Sequence, residues 1–109
     1  MTSARVWSVT STTSGEDDAR TIARAVVAER LAAGAEITGP ATSVFWHLGE
    51  VGEGKEWRVT MRTTAAVRDR LAARIAQLHP WTRPEITATP IEWCPDAYAE
   101  WVESSTGPQ

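Results

Sequence analysis

Apolar residues along this chain switch repeatedly between two spacings, and that alternation limits the fold more than any other feature. Over residues 16–33, Ala19, Ile22, Ala23, Val26, Val27 and Leu31 recur at steps of three and four, the repeat of a helix with one buried stripe. Ser14 and Gly15 followed by Glu16 and Asp17 have the spacing of a helix start with acids facing the positive end of its dipole, and Gly34 is placed to end the helix. The period then changes to two. Trp57, Val59 and Met61 alternate with Glu56, Arg58, Thr60 and Arg62, as in a strand with one buried face. Val44, Phe45, Trp46, His47 and Leu48 put large groups on both faces, which predicts a strand covered on both sides. Residues 50–55, with Gly52 and Gly54, read as the bend joining two long antiparallel strands, and Gly39 with Pro40 predicts a bulge or an edge position.

The helical spacing returns with Val67, Leu71, Ile75 and Leu78, capped by Thr64 and ended by His79 and Pro80. Residues 6–10 read as a first strand followed by a Ser/Thr/Gly loop, and residues 85–89 as a last strand that Pro90 interrupts. Pro95 suits the first turn of a short final helix with Tyr98, Trp101 and Val102 on one face, and residues 104–109 have the composition of a frayed tail. The order is β-α-β-β-α-β plus a short helix. It predicts one α+β domain over residues 1–109, a ferredoxin-like sandwich with a long β-hairpin arm. One sheet face and the arm remain uncovered and are expected to carry several of the six Trp. Exposed aromatic surface and long strand edges favour self-association, with closed rings the usual outcome.

Charge narrows the partners. Ten of the eleven basic residues are Arg, scattered along the chain, and the net charge is -3. That balance offers neither nucleic acid nor an anionic membrane a basic field. No apolar run reaches the roughly 20 residues of a membrane span, and no signal-peptide pattern opens the chain. Cys94 is the only cysteine, which excludes an internal disulfide and a cysteine-rich zinc site. A cytoplasmic location is expected.

Chemistry concentrates at residues 79–86, His-Pro-Trp-Thr-Arg-Pro-Glu-Ile. The two prolines push His79 and Arg83 out of the helical region and stiffen a junction between helix and strand. Such a junction serves equally as a binding corner or as a sturdy connection.

The sequence resembles the CutA, or divalent-cation tolerance, family. The resemblance is carried in order by Glu-Arg-Leu-Ala-Ala at 29–33, Gly-Pro-Ala-Thr-Ser at 39–43, Gly49, Arg-Thr-Thr at 62–64, residues 79–86, Pro90, Tyr98 and Trp101. It implies a ferredoxin-like subunit that assembles as a homotrimer through sheet edges and arms. It also implies divalent-metal binding, of copper or zinc, by His79 and Glu85 together with a cysteine. The family's usual cysteine positions are Gly34 and Val9 here, and the expected Tyr after His-Pro is Trp81. Without thiols, imidazole and carboxylate suit divalent ions better than Cu(I).

Two functions from different classes follow. The first is a trimeric tolerance or response protein that binds a small molecule or divalent ion in clefts between subunits, lined by Arg62, His79, Trp81, Glu85 and Tyr98 with Trp46, Arg62 holding an anionic group or the Glu85 carboxylate. The second is an enzyme that uses the same cleft for proton-transfer or cyclisation chemistry on a small organic substrate. His79 or His47 would then be the general acid or base, with Glu85 or Arg62 orienting it. No nucleophile with an adjacent base is visible.

Overall fold

A computed structural model describes residues 3–108. Its elements are β1 (Val6–Thr13), α1 (Glu16–Ala28), β2 (Gly34–His47), β3 (Glu50–Thr64), α2 (Ala65–Leu78), β4 (Ile86–Ile91) and α3 (Asp96–Ser105). The strands form one antiparallel sheet in the order β2-β3-β1-β4, so β3 lies between β1 and β2 as in a split βαβ unit. The apolar stripes of α1 and α2 pack on one sheet face. Ile22, Val26, Leu71 and Ile75 meet Val9, Val59 and Met61 there, all with essentially no exposure. On the opposite face α3 makes a smaller contact, with Ala99 and Val102 against Val6, Ile91 and Cys94.

The strand register decides what the open face presents. Ser8 lies opposite Arg62, Thr10 opposite Thr60, and Thr12 opposite Arg58. Thr87 and Thr89 extend the same face from β4. The uncovered face is therefore a field of hydroxyls and guanidinium groups, where Trp residues were expected. Trp7 and Trp57 fall on the helix side instead, Trp7 beneath the Arg68 guanidinium 4.3 Å from its ring centroid. The Tyr98 and Trp101 rings of α3 stand over that side.

Several boundaries differ from expectation for local reasons. The first helix stops at Ala28 rather than near residue 33, because Arg30 turns left-handed (φ 62°). Its N–H donates to Val27 O while Leu31 N–H donates to Val26 O, the paired bonds of a Schellman ending. Gly34 is thereby freed to open β2, opposite Arg62. Gly15 rather than Ser14 occupies the N-cap of α1, and Thr64 sits at the N-cap of α2 without a capping side-chain bond. The residues read as a loop after position 10 continue β1 to Thr13, paired with β3 throughout. Pro90 stays within β4, opposite Trp7. That position is tolerated because β4 is an edge strand with its other side free of a ladder.

The hairpin bend is Leu48 and Gly49, not residues 50–55. Both have left-handed φ (52° and 79°), as a two-residue turn matched to strand twist requires. Gly52 lies within β3, and a Cβ there would stand 3.0 Å from the Phe45 ring. The bulge expected at Gly39 and Pro40 is present between Thr38 and Ala41. Beyond it, the arm is covered by the chain on neither face: Val44, Trp46, Leu48 and Val51 are 63, 76, 90 and 65% exposed. The expected tail is tied down as far as Gly107. Arg30 donates to Ser104 O and Gly107 O, and buried Thr106 donates to Val102 O. Among the described residues, no helix is long and apolar enough to cross a membrane.

Candidate functional site

The open sheet face and α3 enclose a cleft of about 320 Å³ lined by Gly34, Ala35, Glu36, Thr60, Arg62, Tyr98 and Trp101. Alternation along β3 sends Thr60 and Arg62 to this face, and the shortened α1 brings Gly34 level with Arg62. A Cβ on Gly34 would touch the Trp101 indole at 3.5 Å, an ordinary van der Waals contact, so the strand passes close against that ring. The Tyr98 and Trp101 rings, three residues apart on one helix face, stand 5.7 Å apart at 44°. They form a half-exposed apolar wall opposite Arg62. Arg62 is itself half-buried and donates from Nη1 to Ser8 Oγ at 3.0 Å.

The helix that carries this wall is anchored at several points. Arg5 donates from Nη2 to Glu103 Oε1 at 2.7 Å and from Nε to Oε2 at 3.2 Å. This forked bond holds the Glu103 carboxyl below the usual carboxylate range and raises the Arg5 guanidinium. The bonds from Arg30 to the end of α3 add a second anchor.

The remaining candidate residues do not join this cleft within the chain. His79 is buried, 7% exposed, at the end of α2. Its Nδ1 accepts the Trp81 N–H at 3.1 Å, and its Nε2 lies 2.6 Å from Thr12 O. A ring whose Nδ1 accepts carries its proton on Nε2, so Nε2–H donates to that carbonyl. The Trp81 ring leans on the imidazole at 4.9 Å between centroids. β4 begins at Ile86 opposite Ser11, one residue short of Thr12, and the imidazole completes the ladder where the strand is missing. Glu85 pairs with Arg58 at 3.8 Å rather than with Arg62, and Thr87 Oγ1 donates to it at 3.4 Å. Arg62 is level with Ser8 and Arg58 with Thr12, four residues or about 13 Å along the strand. That spacing separates the cleft from the His79 corner. Trp46 and His47 lie on opposite faces of the arm, His47 with the Phe45 ring beside it at 6.5 Å.

A divalent ion does not fit the expected ligands. Both nitrogens of His79 are engaged, so the ring offers no lone pair to a metal. Among the described residues no group of three His, Cys, Asp or Glu has the spacing of a metal site. Sequence reading missed Trp101, Gly34 and Glu36 as cleft residues and Arg58 as the partner of Glu85. Trp101 had a visible signal, its place one helical turn from Tyr98. The Arg58 pairing depends on sheet register and had none.

The family model described as CutA1 divalent ion tolerance protein matches residues 7–105. A divalent-cation tolerance protein CutA from Thermus thermophilus is 42% identical over 96 residues, covering 88% of this chain and 93% of that protein. The human protein CutA is 32% identical over 91 residues, 84% of this chain and 51% of its own length, so the chain spans about half of that relative. A crystallised divalent cation tolerance protein of Thermus thermophilus superposes with a TM-score of 0.90 at 40% identity, covering 94% of this chain and 99% of that one.

Proposed function

The chain belongs to the CutA1 divalent ion tolerance family, and on that premise we propose that it acts as a homotrimer whose clefts bind a small ligand at Arg62, Tyr98 and Trp101. The observation that carries the assembly is the bare arm, with Val44, Trp46, Leu48 and Val51 all largely exposed. A surface of that kind on one chain calls for a partner. The sheet ends in two unlike free edges, β2 and β4. Pairing one copy's β2 side with another's β4 side is a head-to-tail contact, which closes into a ring where the rotation between copies divides the full turn. The ring size of three comes from the family resemblance. On this reading the protein is a binding member of the family, and His79 and Glu85 shape the fold rather than hold copper or zinc. Cytoplasmic residence is part of the same proposal and rests on a chain whose single cysteine leaves no internal disulfide to maintain.

Light scattering on the purified chain tests the assembly. The expected mass is three times the 11.9 kDa of one chain, and Trp46→Asp combined with Val51→Asp should release folded single chains. A well-folded single chain at micromolar concentration for the unmodified protein overturns the proposal. Calorimetric titration with copper and zinc ions tests the second part. Heat that disappears in His79→Gln while the fold persists would restore the metal role.

A further inference from the structure

Resting on the reading of the cleft as a ligand site, we propose that its ligand is a small organic carboxylate, with the anionic end on Arg62 and a flat apolar body against Tyr98 and Trp101. Most arginines of this chain are already satisfied. Arg5, Arg20, Arg58, Arg68 and Arg74 each have a carboxylate within salt-bridge distance, and Arg30 donates to two carbonyls. Arg62 has neither among the described residues. Its Nη1 donates to one serine hydroxyl, and among the described residues Nε and Nη2 have no acceptor. Arg24, Arg70 and Arg83 also lack a carboxylate but stand exposed in water. Arg62 alone is half-buried at the base of a cleft, where an uncompensated guanidinium is costly and an incoming anion is favoured.

The walls choose among anions. A volume of about 320 Å³ is at the small end of ligand sites. The tilted pair of rings offers a flat apolar slot. Glu36 lines the same cleft from β2. Arg62 is the one cation in the cleft lining and balances a single negative charge on the ligand, while the Glu36 carboxylate opposes a doubly charged phosphate. The same guanidinium repels a metal ion, and position 34, where the family resemblance places a thiol, has no side chain.

The test is titration of the full chain with four probes, benzoate, benzyl alcohol, phenyl phosphate and zinc ion. It is followed by calorimetry and by the Trp101 indole N–H resonance, assigned from the spectrum of Trp101→Phe. Benzoate should move that resonance and bind at least tenfold more tightly than benzyl alcohol, with phenyl phosphate weaker than benzoate and zinc without effect. Arg62→Gln should bring benzoate down to the level of benzyl alcohol, while Arg62→Lys should retain part of the difference. If benzoate and benzyl alcohol bind equally and both move Trp101, the cleft stands and its preference for a carboxylate is refuted. Tighter binding of phenyl phosphate refutes the carboxylate as well. If no probe moves Trp101, the cleft itself is not a ligand site and both readings fall. Should Arg62→Gln not fold, the benzoate and benzyl alcohol comparison on the unmodified chain and on Arg62→Lys decides alone.

Discussion

His79 is the residue most often expected to do chemistry in such a stretch, and replacing it measures whether it holds the fold instead. In His79→Ala the Thr12 carbonyl loses the donor 2.6 Å away and the Trp81 N–H loses its acceptor at 3.1 Å. Leaving a buried polar group unpaired costs about 1–3 kcal/mol. The missing ring also leaves a gap beneath Trp81, and a cavity term adds to the loss. A destabilisation of roughly 3 kcal/mol is therefore expected, taking the hydrogen-bond and cavity terms together. With a urea m-value of about 1–3 kcal/mol/M, the midpoint should fall by about 1–3 M. His79→Gln keeps an amide N–H able to reach Thr12 and should lose clearly less. The assay is urea unfolding followed by circular dichroism at one fixed chain concentration, because assembly makes apparent stability depend on concentration. A loss below about 0.5 kcal/mol for His79→Ala, within the range of ordinary surface substitutions, would refute the structural assignment. So would a gain in stability on adding zinc or copper to the unmodified chain that the variant does not show.

Two further outcomes follow from the anchoring of α3. Arg30→Ala should destabilise by about 1–2 kcal/mol, because it removes two bonds to the end of α3 while leaving a left-handed residue with a side chain. Arg30→Gly should lose less, since glycine accepts that conformation freely; thermal melts of the pair check the order, and equal losses would contradict it. The carboxyls of Glu103 and Glu29 are held below their usual range by hydrogen bonds from Arg5 and Arg74. A depressed folded value means that their contribution is complete above the unfolded value and is lost as pH falls through the folded one. Stability should therefore be level near neutrality and decline below about pH 5. The decline should be shallower in Glu103→Gln with Glu29→Gln, and the difference should shrink at high salt because both pairs are exposed.

What was legible in the sequence was what short-range spacing controls. The two helical stripes, the alternation of Trp57, Val59 and Met61, and the bulge at Gly39 and Pro40 are each written within a few residues, and they yield the element order. The bend was misplaced because Gly52 and Gly54 look like turn residues. Gly52 in fact makes room for the Phe45 ring across the hairpin, a demand that only the paired strand reveals. The helix end was misplaced because a glycine at position 34 is the stronger signal, while Arg30 takes the left-handed position with its guanidinium bonded to the far end of the chain. The site divided in the same way. Arg62 and Tyr98 were visible by type and do share one cleft. His79 and Glu85, close in sequence, are drawn to different partners, Thr12 and Arg58, by a register that no local pattern records.

The bulge between Thr38 and Ala41 sets a parity that the whole arm obeys. Before it, Ile37 lies opposite Val59; beyond it, Trp46 lies opposite Val51 and Phe45 opposite Gly52. The extra residue shifts the count by one, so even-numbered residues of the distal half of β2 take the side that odd-numbered ones hold near the core. Deleting one of Gly39 and Pro40 would only remove the bulge and leave the partners of Ala41 onward unchanged, whereas deleting Ser43, beyond it, would turn the outer end of β2 over. The Phe45 ring would leave the glycines that accommodate it, and Val44 and Trp46 would trade sides with Phe45 and His47. Length changes in the arm are thus admissible only in matched steps on both strands, which leaves its reach free to vary while its handed pattern of side chains is locked.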